Sequence, residues 1–113
     1  MSDENCLFCK IYQGKIPCEK VYEDEKVMGF RDIHPVAKIR LLFIHKHHTK
    51  NINDLISQRP KDLVDLFEAI KIYTEENQID QNGFRVVTNL GQDGGQTVFH
   101  THFHLLAGEK LRW

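Results

Sequence analysis

Residues 99–105, Phe-His-Thr-His-Phe-His-Leu, alternate strictly between histidine and other residues, and no other feature of the chain restricts its fold as much. A β-strand throws successive side chains to opposite faces, whereas a helix would spread the three imidazoles around its circumference. The segment Val98 to Leu106 therefore predicts a strand. His100, His102 and His104 would share one face, roughly 7 Å apart, and Phe99, Phe103 and Leu105 the other. Such a strand needs a sheet to lie in, and the rest of the sequence has to provide it.

Other segments read readily as its partners. Val21-Tyr22 and Val27 to Phe30 flank the acidic turn Glu23-Asp24-Glu25 as a β-hairpin. Leu41 to Ile44 is an apolar run of strand length, and Phe84 to Thr88 follows the Gln81-Asn82-Gly83 turn. Cys6 to Tyr12 suits a short helix ended by Gly14 and Pro17. Behind Pro60, the residues Leu63, Leu66, Phe67, Ile70 and Tyr73 or Thr74 recur at helical spacing. The expected fold class is α+β: an antiparallel sheet with one long helix and a short N-terminal helix. With 113 residues and neither repeat nor linker, residues 1–113 are expected to form one domain.

Composition narrows the function. Fifteen Lys+Arg against sixteen Asp+Glu give a formal charge of -1, without the basic stripe that nucleic-acid binding requires, so no nucleic-acid partner is expected. No apolar run approaches a membrane span, and the acidic opening Met1 to Asn5 is unlike a signal peptide, so the expected location is the cytoplasm, away from membranes. In that reducing compartment the Cys6-x-x-Cys9 pair suggests a metal or redox feature rather than a disulfide. The seven histidines fall into two groups, His34, His45, His47 and His48, then His100, His102 and His104.

Three chemistries compete for the histidine strand. The imidazoles can simply fill a polar strand face. They can ligate a metal, although three ligands on one straight strand converge poorly on a tetrahedral ion. Or they can act on phosphorus, because imidazole is nucleophilic at neutral pH and its charged form donates a proton. Ahead of them, the loop from Gly91 to Gln96 contains adjacent glycines that allow close backbone approach to an anion or serve as an ordinary connection.

Taken together, His100-Thr101-His102-Phe103-His104-Leu105-Leu106, Asp93-Gly94-Gly95-Gln96-Thr97-Val98, Phe30-Arg31-Asp32-Ile33-His34-Pro35 and Cys6-Leu7-Phe8-Cys9-Lys10-Ile11 resemble the histidine triad superfamily over nearly the whole chain. The Asp-Gly-Gly-Gln-Thr-Val element resembles its nucleoside phosphoramidase branch. That resemblance implies a homodimer that cleaves the P–N bond of a purine nucleoside 5′-phosphoramidate, AMP joined to an amine, through a nucleotidyl-histidine intermediate. His102 would be the nucleophile. Asn89, Thr97, His104 and the backbone near Gly95 and Gln96 would hold the phosphate, Thr97 also passing a proton to the leaving amine. Asp32 would bind the ribose, and Phe8, Phe30 and Ile33 would wall the base. No catalytic metal is implied.

The resemblance also implies a structural zinc on Cys6, Cys9, His48 and His100. Two positions depart from the family pattern: Arg40 and His45 stand where histidine and proline are usual. Arg cannot accept a proton, so weak catalysis or a nucleotide-binding partner protein is one alternative, and dinucleoside polyphosphate or adenylyl-sulfate hydrolysis another. His34, His45 and His47 are expected at the surface, and Cys18 has no expected partner. The terminal Trp113 hints at a partner surface.

Overall fold

The computed structural model describes residues 5–32 and 37–112, so Ile33, His34 and Trp113 lie outside the described residues. Five strands form one antiparallel sheet in the order β1-β2-β3-β5-β4. They are β1 (Lys20–Glu23), β2 (Val27–Arg31), β3 (Ile39–His45), β4 (Arg85–Val87) and β5 (His102–Ala107). Three helices accompany them: α1 (Leu7–Tyr12), α2 (Ile52–Gln58) and α3 (Pro60–Glu76). The expected α+β class is what the chain adopts.

The apolar run of β3 is buried on both faces of the sheet, which is why it lacks alternation. Leu41 and Phe43 join Val27, Leu66, Ala69, Ile70, Phe103 and Leu105 in a core under α3. Leu42 and Ile44 join Met28, Phe30, Phe8, Cys9 and Ile11 in a second core under α1. β5 pairs with β3 from Ile39↔Ala107 to Ile44↔His102, setting His104 opposite Leu42 and His102 opposite Ile44. The two histidines therefore lie on the α1 face, and Phe103 and Leu105 on the α3 face.

The hairpin at residues 23–25 forms because Asp24 Oδ1 accepts the N–H groups of Lys26 and Val27, both at 2.7 Å. α2 was not anticipated. Seven residues with one buried side chain, Leu55, offer too few periods to read, and the helix is started by Asn51, whose side chain accepts the Asp54 N–H at 2.9 Å.

The expected strand from Val98 to Leu106 is also shorter than its alternation suggests, beginning only at His102. Two tertiary contacts divert the chain before that point. The Thr101 N–H donates to the Thr49 carbonyl at 2.8 Å, and the His45 carbonyl is taken by the His100 ring at 2.9 Å. Phe99 is consequently exposed rather than in the α3 core.

Gly29 sits where β2 crosses the ring of Phe43, its partner in the register. A Cβ there would lie 2.8 Å from Phe43 Cε2, and Phe43 is fully buried. Gly29→Ala is expected to lower stability by about 1–3 kcal/mol, read as a reduced urea midpoint with unchanged m-value.

Candidate functional site

His102 and His104 project side by side from β5, ring centroids 5.0 Å apart. The Nδ1–H of His102 donates to the His100 carbonyl at 2.7 Å, which leaves the lone pair on Nε2. Phe8 meets the His102 ring edge-on, centroids 5.0 Å apart at 81°, and packs against Phe30 at 5.6 Å. Burial pushes the His102 pKa below its ordinary value, so the ring is neutral at pH 7. His104 is lowered to about 4, first by burial and then by the charges of His102 and Arg40. Its Nδ1 is buried and has no hydrogen-bond partner.

Arg40 reaches the same face from β3. Its Nε lies 2.9 Å from Asp32 Oδ2 in a mostly buried ion pair, and the Asp32 N–H donates to the Arg40 carbonyl at 3.1 Å. An arginine thus holds the carboxylate expected to address a ribose.

The loop preceding the histidines is built by its glycines. A Cβ on Gly94 would stand 2.3 Å from the Leu90 carbonyl oxygen, and Gly95 has φ +80°, so neither position admits another residue without rearrangement. Asn89 Nδ2 donates to the Gly94 carbonyl at 2.7 Å. Gln96 is buried; it donates to the carbonyls of Lys50 and Val98 and accepts the Gly91 N–H, so it fixes the loop's shape. The Gly95 N–H is engaged with the Gln92 carbonyl at 3.1 Å. Thr97 is exposed at the end of the loop.

His100 does not share the row of the other two. It is fully buried and turns toward α1, its Nδ1 3.2 Å from Cys6 Sγ, 3.5 Å from Cys9 Sγ and 3.2 Å from His48 Nδ1. Cys9 Sγ lies 3.5 Å from His48 Nδ1. The four donor atoms all fall within 4.8 Å of one another. Ligands about 2.0–2.3 Å from a tetrahedral zinc stand roughly 3.3–3.8 Å apart, so the set fits that ion in number, type and spacing. His100 Nε2–H donates to the His45 carbonyl, leaving Nδ1 with its lone pair toward the cluster, as the hydrogen bond behind a metal-bound imidazole would.

Of the histidines expected at the surface, His45 is not there, His47 is half-exposed, and His34 lies outside the described residues. His45 is 2% exposed, with Nε2 3.0 Å from Asp65 Oδ2, and His47 stacks on it at 4.8 Å. The sequence offered no sign of this, because the acidic partners come from α3, some twenty residues on. Cys18 is half-buried and free. No helix among the described residues is long and apolar enough to cross a membrane.

The HIT domain model matches residues 13–111. The chain belongs to the HIT family. A histidine triad protein of Clostridium difficile superposes with a TM-score of 0.95 at 42% identity, covering 99% of this chain and 97% of that one. A HIT family hydrolase of Clostridium thermocellum superposes at 0.92 with 39% identity, covering 98% and 96%. An uncharacterized HIT-like protein of Rickettsia prowazekii is 36% identical over 112 residues, 98% of this chain and 93% of its own.

The burial of His104 has a consequence for acid stability. Its folded-state pKa of about 4 lies below the ordinary value of 6.5, so the unfolded chain binds the proton first as pH falls. Stability is therefore expected to decline between about pH 6.5 and pH 4. His104→Gln is expected to lose less over that window, measured by urea unfolding at several pH values.

Proposed function

We propose that this HIT family protein hydrolyses purine nucleoside 5′-phosphoramidates, with His102 Nε2 as nucleophile. The observation that carries the reading is the bond from His102 Nδ1–H to the His100 carbonyl. It selects the tautomer whose Nε2 can attack, and burial keeps that nitrogen unprotonated at neutral pH.

In the proposed reaction Nε2 attacks the α-phosphorus, the P–N bond breaks, and the amine leaves with a proton that the exposed Thr97 hydroxyl relays from solvent. Water then cleaves the nucleotidyl-histidine. His104, beside His102 on β5, is assigned to a phosphate oxygen, as is Asn89, whose amide keeps one N–H beyond its bond to the Gly94 carbonyl; the loop backbone at Gly95 and Gln96 would have to release its bonds to the Gln92 and Gly91 carbonyls to join them. Gln96 contributes by holding that loop in shape. Phe8 backs the His102 ring and Phe30 backs Phe8, and with Ile33 they are assigned to the base; Asp32 is assigned to the ribose. The family resemblance supports a homodimer, and the expected location remains the cytoplasm. The exposed Val64 and Phe67 of α3 and the three-residue edge strand β4 offer apolar and hydrogen-bonding surface to a second copy.

We also propose a structural zinc on Cys6, Cys9, His48 and His100. Bound there, it would tie α1 and the end of β3 to the entry of β5 without taking part in the reaction. Cys9→Ser is expected to bind zinc at least tenfold more weakly and to melt at lower temperature, as chelation would lower the wild type. Equal zinc content and melting temperature would overturn this assignment.

His102→Ala is expected to lower turnover of an AMP phosphoramidate by on the order of 10⁴- to 10⁶-fold while AMP binding persists. Turnover retained in the variant would refute His102 as nucleophile. The Arg40–Asp32 pair favours one second reading, a nucleotide-binding protein without turnover. Under that reading the wild type binds AMP, hydrolyses nothing, and gains activity in Arg40→His.

A further inference from the structure

The turn that leaves β3, His45-Lys46-His47-His48, sends its imidazoles to two sides. His48 faces Cys9 and His100, whereas His45 and His47 face the first turns of α3. There Asp62 and Asp65, one helical turn apart, meet them. His45 Nε2 lies 3.4 Å from Asp62 Oδ1 and 3.0 Å from Asp65 Oδ2, and His47 Nδ1 lies 3.4 Å from Asp62 Oδ2. Both His45 and Asp62 are buried. The His47 N–H donates to His45 Nδ1 at 3.0 Å, which aims the other nitrogen, Nε2, between the carboxylates.

We propose that His45, His47, Asp62 and Asp65 form a second divalent-metal site, separate from the Cys6, Cys9, His48 and His100 cluster. Donor atoms of His45, His47 and Asp62 all lie within 4.8 Å of one another. Nitrogen and oxygen ligands about 2.0–2.1 Å from a tetrahedral ion stand roughly 3.3–3.4 Å apart, the spacing of His45 Nε2 and Asp62 Oδ1, and Asp65, 3.0 Å from His45 Nε2, closes on the other two ligands only when the ion binds. Two imidazoles with two carboxylates select zinc and its late first-row neighbours over magnesium or calcium, which take oxygen ligands. On binding, the proton on His45 Nε2 moves to Nδ1, which gives up the hydrogen bond it accepts from the His47 N–H, and the ion takes the lone pair freed on Nε2.

The neighbouring cations permit this. Arg59 Nε is 2.9 Å from Asp62 Oδ2, leaving Oδ1 toward His45, so the guanidinium stays behind the ligand as a supporting donor. Lys26 Nζ is 3.9 Å from Asp65 and well exposed, free to move aside. The rings of His45 and His47 are stacked at 16°, so His47, itself 41% exposed, turns toward the ion on binding. A groove of about 530 Å³ between the β1–β2 hairpin and α3, lined by Tyr22, Lys26, Asp65 and Glu68, brings solvent to Asp65, and the half-exposed His47 opens the opposite side.

Cobalt(II) titrated into metal-free protein tests the site, with cobalt-to-protein ratio and optical absorption as readouts. Two equivalents per chain are expected, one with thiolate-to-cobalt charge transfer and one with only the weaker bands of nitrogen and oxygen ligands. His47→Ala and Asp62→Asn are each expected to lose the second equivalent and keep the first. His47 is half-exposed, so its variant decides the matter even where Asp62→Asn fails to fold. Binding of a single, thiolate-bearing equivalent by the wild type would overturn the proposal, as would a second equivalent that survives His47→Ala. Missing charge transfer beside a His47-dependent equivalent would instead sink the cysteine site and uphold this one.

Discussion

The pairing of β5 with β3 is the constraint on which the rest of the molecule depends. Its register runs from Ile39↔Ala107 to Ile44↔His102, and a slip of one residue would turn every side chain of β5 to the opposite face. His102 and His104 would then enter the core under α3, while Phe103 and Leu105 would leave it. The apolar side chains of the two cores enforce the register, because unpaired imidazoles under α3 would be desolvated without compensation.

Where that ladder ends is equally consequential. Beyond His102 the backbone no longer follows β3, since Thr101 pairs with Thr49 and the His45 carbonyl is occupied by the His100 ring. One turn therefore separates the histidines by environment. His102 and His104 stay on the sheet, whereas His100 swings toward Cys6, Cys9 and His48. The carbonyl of His100 in turn sets the tautomer of His102, so the cluster and the candidate nucleophile are mechanically joined through two residues of chain. His45 extends the connection, its carbonyl on His100 and its ring on the carboxylates of α3.

Much of this was legible in the residues. The acidic turn between two apolar runs located the hairpin, period-two patterning located β5, the unbroken apolar run located β3, and Pro60 with helical spacing located α3, because each signal is complete within its own segment. α2 was missed because seven residues around Leu55 complete too few periods. The burial of His45 was missed because its partners, Asp62 and Asp65, belong to another element. Phe99 continued the alternation in sequence and left it in space, for no local pattern records a competing acceptor at Thr49.

The amino-acid sequence by itself determined the element types, the α+β class and the family, since periodicity and motif are properties of contiguous residues. It also placed Cys6, Cys9, His48 and His100 together, through resemblance rather than spacing. Only the tertiary structure decided which imidazole turns to which neighbour, that Arg40 holds Asp32, and that the end of β3 meets two carboxylates of α3. Those outcomes depend on distances between segments far apart in the chain, and such distances arise only when the two cores close.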